Sequence, residues 1–183
     1  MSALATKLIT AEEFMTMPEP ADGSKQELVR GEIETMPPTK GRHGYAQLNI
    51  GILLGVFVKS NGLGWVVTES GVVIERDPDT VRGPDVSFYS IGRHPDPPGE
   101  YFDIPPDMVV EIRSPSDRPG RLQTKLRQYA DNGVRLIWVA DPADRTVTVY
   151  SGKKRGVVHE DDDQLDGGDV LPNFTCKVAD CFV

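Results

Sequence analysis

Asp107-Met108-Val109-Val110-Glu111-Ile112 and Leu136-Ile137-Trp138-Val139-Ala140 are two compact apolar runs of strand length. Between them lies a helical stretch. Ser116-Asp117 followed by Pro119 reads as its start, because proline is tolerated in a first turn where its missing N–H costs nothing. The predicted helix runs to about Asn132 and stops at Gly133, with Leu122, Leu126, Tyr129 and Ala130 as its apolar stripe. After the second run, Asp141-Pro142-Ala143-Asp144 reads as a turn into a further strand, Thr146 to Tyr150.

Working outward toward the N-terminus, Asp85 to Tyr89, Gly71 to Ile74 and Trp65 to Thr68 are strand-like. The stretch from Ile91 to Pro106, rich in proline and glycine, reads as a loop. From about Gly44 to Lys59, Leu48, Ile52, Leu53, Val56 and Phe57 fall at helical spacing, and Asn61-Gly62 ends that helix. Gln26 to Arg30 and Ile33 to Met36 flank Gly31-Glu32, which predicts a hairpin turning there. Thr10-Ala11-Glu12-Glu13 reads as a capping box opening a short helix that Pro18 stops. Helices sit between groups of strands, so the expected class is α/β or α+β, a sheet with helices packed on it.

The chain has 183 residues, which predicts a single domain over residues 1–183. Hydrophobic residues at 38% and charged residues at 26% exclude a mainly disordered or collagen-like protein. The longest apolar-plus-glycine stretch, Gly51 to Val58, is far short of the ~20 residues of a membrane span. Met1 to Thr10 shows no signal-peptide pattern, so a cytoplasmic protein is expected. Cys176 and Cys181 read as reduced thiols, with no further cysteine to complete a zinc site. The net charge of −8 is concentrated in Glu160, Asp161, Asp162, Asp163, Asp166 and Asp169, a stretch that reads as a solvated turn. A net-acidic chain argues against generic nucleic-acid binding, which rests on Lys and Arg, but leaves room for a small basic site.

Three residues stand out chemically. Glu111 sits inside an apolar run, where a carboxylate costs several kcal/mol unless it finds a cation, a metal or a proton. The competing reading is a solvent-facing or Arg-paired Glu on an edge strand. Alternation puts Asp107, Val109, Glu111 and Arg113 on one face. Asp107 and Glu111 are then roughly 13 Å apart along an extended strand, too far to share one metal. Neighbouring strands lie only ~4.8 Å apart, so Asp85 is the natural partner for Glu111, and two such carboxylates suit Mg²⁺ or Mn²⁺. Lys125 borders the apolar stripe of its helix and either reaches toward the sheet end or snorkels to solvent. Around it, Arg113, Arg118, Arg121, Lys125 and Arg127 face only Asp117, which suits a phosphate-bearing substrate or an ordinary charged helix face.

These residues fall in motifs that resemble one family. Gln26-Glu27-Leu28-Val29-Arg30-Gly31-Glu32, Arg82-Gly83-Pro84-Asp85-Val86 and Pro106 through Asp117 carry the likeness, as do Lys125-Leu126-Arg127-Gln128-Tyr129, Gly133 through Pro142 and Asp166 through Pro172. In this order they resemble the bacterial Uma family, restriction-endonuclease-like proteins once classed as a domain of unknown function. The resemblance implies the PD-(D/E)XK nuclease fold, a mixed sheet flanked by helices with a metal site at one end. It makes Pro84-Asp85 the "PD", Glu111 the second acid, and Glu27 an N-terminal acid able to join the site; His43 also matches a family position. Where the superfamily pattern has lysine two residues after the second acid, this chain has Arg113, and the Uma-like lysine is Lys125. Arg cannot deprotonate and so cannot act as a base. The implied activity is a metal-dependent endonuclease acting on DNA as a homodimer. Asp85, Glu111 and the Ile112 carbonyl would hold Mg²⁺ or Mn²⁺, Lys125 would orient water or neutralise charge, and Arg113 or Arg121 would hold a phosphate. Two other readings remain: a non-catalytic nucleic-acid or protein-binding module on the same scaffold, and a hydrolase of a small phosphorylated molecule.

Overall fold

The computed structural model describes residues 7–96, 99, 101–114 and 119–183. The expected helix start at Ser116-Asp117 lies outside these residues, as does Arg118. Along the chain the elements are α1 (Ala11–Met15), β1 (Lys25–Val29), β2 (Glu32–Met36), α2 (Gly41–Ser60), β3 (Gly64–Thr68), β4 (Val72–Glu75), β5 (Thr80–Arg82) and β6 (Val86–Ser90). There follow β7 (Met108–Ile112), α3 (Pro119–Asp131), β8 (Leu136–Asp141), β9 (Thr146–Ser151), β10 (Val157–His159), β11 (Gln164–Gly167), β12 (Leu171–Lys177) and a 3₁₀ turn at Val178–Cys181.

The central sheet has six strands in the order β10-β9-β8-β7-β6-β3. Only β7 and β8 run parallel, with Val110 opposite Trp138; the crossover helix α3 is what lets them do so. All five residues of β7 are buried, as expected of a strand covered on both faces. Alternation sends Met108, Val110 and Ile112 into a core with Ile50, Leu54 and Val58 of α2. Val109 points the other way, into a core with Leu126 and Tyr129 of α3. Glu111 shares the face of Val109 and therefore meets α3 rather than α2.

A second sheet, β2-β1-β5-β4, packs Leu28, Val73 and Val81 around Ala11 of α1. The capping box is formed: Thr10 Oγ1 accepts the Glu13 N–H at 3.1 Å and Glu13 Oε2 accepts the Thr10 N–H at 3.0 Å. The hairpin is shifted by one residue from the sequence expectation. Arg30 and Gly31, at φ 51° and 79°, make the two-residue turn, and Glu32 already pairs with Val29. A turn with positive φ at both central positions matches the twist of the strands, and Arg30 is held in place by donating its N–H to Thr80 Oγ1.

The long helix differs from expectation in two ways. It starts at Gly41, and its buried face is His43, Ala46, Ile50, Leu54 and Val58. Leu53 and Phe57 are partly covered, but Leu48, Ile52 and Val56 are 57%, 52% and 62% exposed. The helix carries two apolar stripes at the same period, and only packing decides which one faces the sheet. β5 and β10–β12 had no sequence expectation. β5 and β10 have three residues each, and β11–β12 lie at and beyond the acidic stretch, where Leu165, Leu171 and Phe174 turn inward to complete the α2-side core. Within that stretch, Asp163 caps the Glu160 N–H of a turn, and Asp166 falls in β11.

Candidate active site

The centre of the site is a buried lysine between two buried carboxylates. Lys125 Nζ lies 2.9 Å from Glu111 Oε2 and 2.9 Å from Glu27 Oε1. It reaches in from α3, so the snorkelling alternative does not hold. The other Glu111 oxygen accepts the Tyr129 hydroxyl at 2.8 Å, from one turn further along α3. Glu27, on β1, accepts Arg82 Nη1 at 2.7 Å and the Gly83 N–H at 3.0 Å. Arg82 in turn donates from Nε and Nη2 to Gln128 Oε1, and Gln128 donates to Glu75 at 2.8 Å. These contacts hold in place the two carboxylates that flank Lys125.

Asp85, just before β6, is the second centre. Its Oδ2 accepts the Ile112 N–H at 2.7 Å, so it reaches the backbone of the residue next to Glu111. Its Oδ1 lies 3.3 Å from His43 Nε2 and 3.5 Å from Lys25 Nζ. Lys25 also pairs with Glu69 at 2.6 Å. The register of β3 against β6 sets Thr68 opposite Val86, which brings the next residue pair, Glu69 and Asp85, side by side.

The charges are tuned apart. Burial works against the ionised Glu27 and Asp85, but lysine, arginine and histidine neighbours outweigh it and hold both at about 2. For Glu111 burial dominates. Lys125 pulls its pKa down, but the nearby Asp85 and Glu27 charges add to the effect of burial, and it is pushed up to about 7. The same carboxylates raise Lys125 against the effect of burial, so it stays an ammonium.

The structure thus brings Glu27, Asp85, Glu111, Ile112 and Lys125 together. Arg113 and Arg121 lie outside this cluster: Arg113 pairs with Asp141 at 2.6 Å and Arg121 with Glu34 at 3.5 Å. Asp107 sits apart, accepting the Ser90 N–H and pairing with Arg93 and Arg135. Lys25, Glu69, Arg82, Gln128 and Tyr129 were not expected in the site. Two had a readable signal: Gln128 and Tyr129 follow Lys125 at helical spacing of three and four. The Asp85 and Glu111 carboxylates, carried by neighbouring strands, are hard oxygen donors of the kind that Mg²⁺ or Mn²⁺ takes.

A mixed sheet with one parallel pair, helices on both faces and acids gathered at one end defines a restriction-endonuclease-like fold. The backbone is similar to the crystal structure, at 1.96 Å, of a protein from Anabaena variabilis ATCC 29413 described as "a putative nuclease belonging to DUF820". The TM-score is 0.83 at 24% sequence identity, covering 95% of this chain and 97% of that one. Residues 11–179 match the Uma2 family, whose description is "Putative restriction endonuclease", and the chain belongs to that family. No curated protein matches the chain.

Proposed function

We propose that the protein is a metal-dependent endonuclease that hydrolyses DNA phosphodiester bonds in the cytoplasm. The observation that carries this reading is the buried convergence of Asp85, Glu111 and Lys125, with Lys125 held at 2.9 Å from both Glu111 and Glu27. Stability alone is a weak reason for such a cluster, because replacing a buried ion pair with apolar packing is often neutral or stabilising.

In this reading Asp85, Glu111 and the Ile112 carbonyl would hold Mg²⁺ or Mn²⁺, and the ion would supply Lewis-acid chemistry to a phosphoryl group and a water. Lys125 keeps its proton and so serves as a donor, orienting the water or neutralising charge on the phosphoryl group. Glu27, Arg82 and Gln128 position that ammonium. Arg113 and Arg121 are each about half exposed and, among the described residues, pair with Asp141 and Glu34 respectively; a flanking phosphate would be taken by such half-exposed guanidinium groups. The homodimer belongs to the same reading; the exposed Leu48, Ile52 and Val56 stripe of α2 is apolar surface of the kind that interfaces cover.

The test is incubation with supercoiled plasmid DNA and Mg²⁺ or Mn²⁺. Cleavage is expected in the wild type and not in Asp85→Asn or Glu111→Gln. DNA binding that falls steeply with salt, with no cleavage under either ion, replaces this reading with the binding module.

A further inference from the structure

The far side of Asp85 carries a second constellation that the Lys125 cluster does not use. His43 of α2, Glu69 after β3 and Asp85 before β6 each offer a ligand atom, all within 4.8 Å of one another. His43 is only 8% exposed, and its Nδ1 has no hydrogen-bond partner among the described residues. Its Nε2 faces Asp85 Oδ1 at 3.3 Å, an ion pair whenever the ring is protonated. The imidazole thus sits within ligating distance of two carboxylates, the donor spacing that a single cation needs.

The supporting shell is in place. Gln47, one turn after His43, donates one Nε2 to Glu69 Oε1 at 2.9 Å and to the Asp85 carbonyl at 3.0 Å. The Glu69 backbone is fixed at φ 54° and its N–H donates to the Pro84 carbonyl. A cation already sits between the acids: the Lys25 ammonium, 2.6 Å from Glu69 and 3.5 Å from Asp85.

We propose that His43, Glu69 and Asp85 form a second cation site, selective for a first-row transition ion such as Mn²⁺ over Mg²⁺, with Lys25 as the resident cation that the metal displaces. One imidazole with two carboxylates suits a transition ion, whereas Mg²⁺ favours oxygen alone. Gln47 orients Glu69, as outer partners of metal ligands do. The inference shares Asp85 with the metal-dependent reading above and rests on it for the first site only.

The test is a titration with Mn²⁺, counting bound ions by the EPR signal of free Mn²⁺, together with pulsed EPR of the loaded protein. Wild type is expected to bind two equivalents, of which Mg²⁺ displaces one, and to show the ¹⁴N coupling of an imidazole ligand. His43→Gln and Glu69→Gln are expected to bind one equivalent, and His43→Gln to lose the ¹⁴N coupling. Lys25→Met is expected to tighten the second equivalent by about tenfold, because a competing charge is gone. Absence of ¹⁴N coupling in the loaded wild type overturns the proposal without need of any variant. So does coupling that survives His43→Gln, or Mn²⁺ that is displaced completely by equimolar Mg²⁺. Glu111→Gln separates the two sites: it is expected to lose the other equivalent and keep the one with ¹⁴N coupling. A wild type that binds a single ion with ¹⁴N coupling, retained in Glu111→Gln, upholds the His43 site and removes the metal from Glu111.

Discussion

Lys125 Nζ and Glu111 Oε2 stand 2.9 Å apart with both side chains almost fully buried, at 9% and 6% residue exposure. This pair joins the crossover helix to the central parallel strand, and it is where the chemistry proposed for the protein is concentrated.

Replacing the lysine therefore has two separable effects. Lys125→Met is expected to abolish plasmid cleavage and to destabilise the fold by about 3–5 kcal/mol, because Glu111 and Glu27 lose a buried counter-charge. Urea unfolding measures the second effect. Mn²⁺ binding is expected to persist in the folded variant; cleavage at the wild-type rate would remove Lys125 from the mechanism.

The raised pKa of Glu111 makes a signed prediction for stability. Its folded value of about 7 lies above the ordinary 4.5, so ionising it in the folded state costs free energy that the unfolded chain does not pay. The stability associated with the protonated group is fully present below about pH 4.5 and is lost as the pH rises through 7. Glu111→Gln escapes that loss. Its stability relative to wild type is expected to be higher at pH 8 than at pH 4.5 by up to about 3 kcal/mol. An equal difference at the two pH values, read from urea unfolding, contradicts this.

Tyr129 donates its hydroxyl to the other Glu111 oxygen at 2.8 Å, which favours the ionised carboxylate. Tyr129→Phe is expected to cost about 1–2 kcal/mol of stability. It is also expected to move the pH midpoint of Mn²⁺ binding at the Glu111 site upward, because a protonated carboxyl does not ligate. An unmoved midpoint would mean that Glu111 does not bind the ion.

Asp107 is a buried acid on the same strand face with a purely structural set of partners, Ser90, Arg93 and Arg135. Asp107→Asn is expected to lower the melting temperature by several degrees while leaving the affinity for Mn²⁺ within about twofold of wild type. A large loss of affinity would place Asp107 in the metal site and refute the spacing argument.

Arg121 is half exposed and pairs with Glu34 at 3.5 Å. If it holds a DNA phosphate, Arg121→Ala weakens binding uniformly across sequences and lowers the slope of log K against log salt by about 1. Fluorescence anisotropy over a salt series reads this slope directly, and an unchanged slope excludes the contact.

What the sequence determined lies in its local signals. The Thr10 capping box and the apolar runs around Val109 and Ile137 are patterns within a few residues, and each formed as read. The position of Glu111 inside an apolar run was enough to demand a partner, strand spacing pointed to Asp85, Lys125 stood out at the border of its helix's apolar stripe, and the family motifs added Glu27. The tertiary structure decided everything that depends on which surfaces meet. Helix α2 has two apolar stripes of equal period, and the sheet took the one containing Ile50 and Leu54, leaving Leu48, Ile52 and Val56 outside. The hairpin turn moved to Arg30-Gly31 because the Arg30 N–H finds Thr80, fifty residues away. Glu69 joined Asp85 only through the register of β3 on β6, and Lys25 and Arg82 reached the site only because the second sheet packs beside the first. Periodicity records the faces an element can bury, but pairing register and packing choose among them, and contacts between distant residues leave no trace in a local pattern.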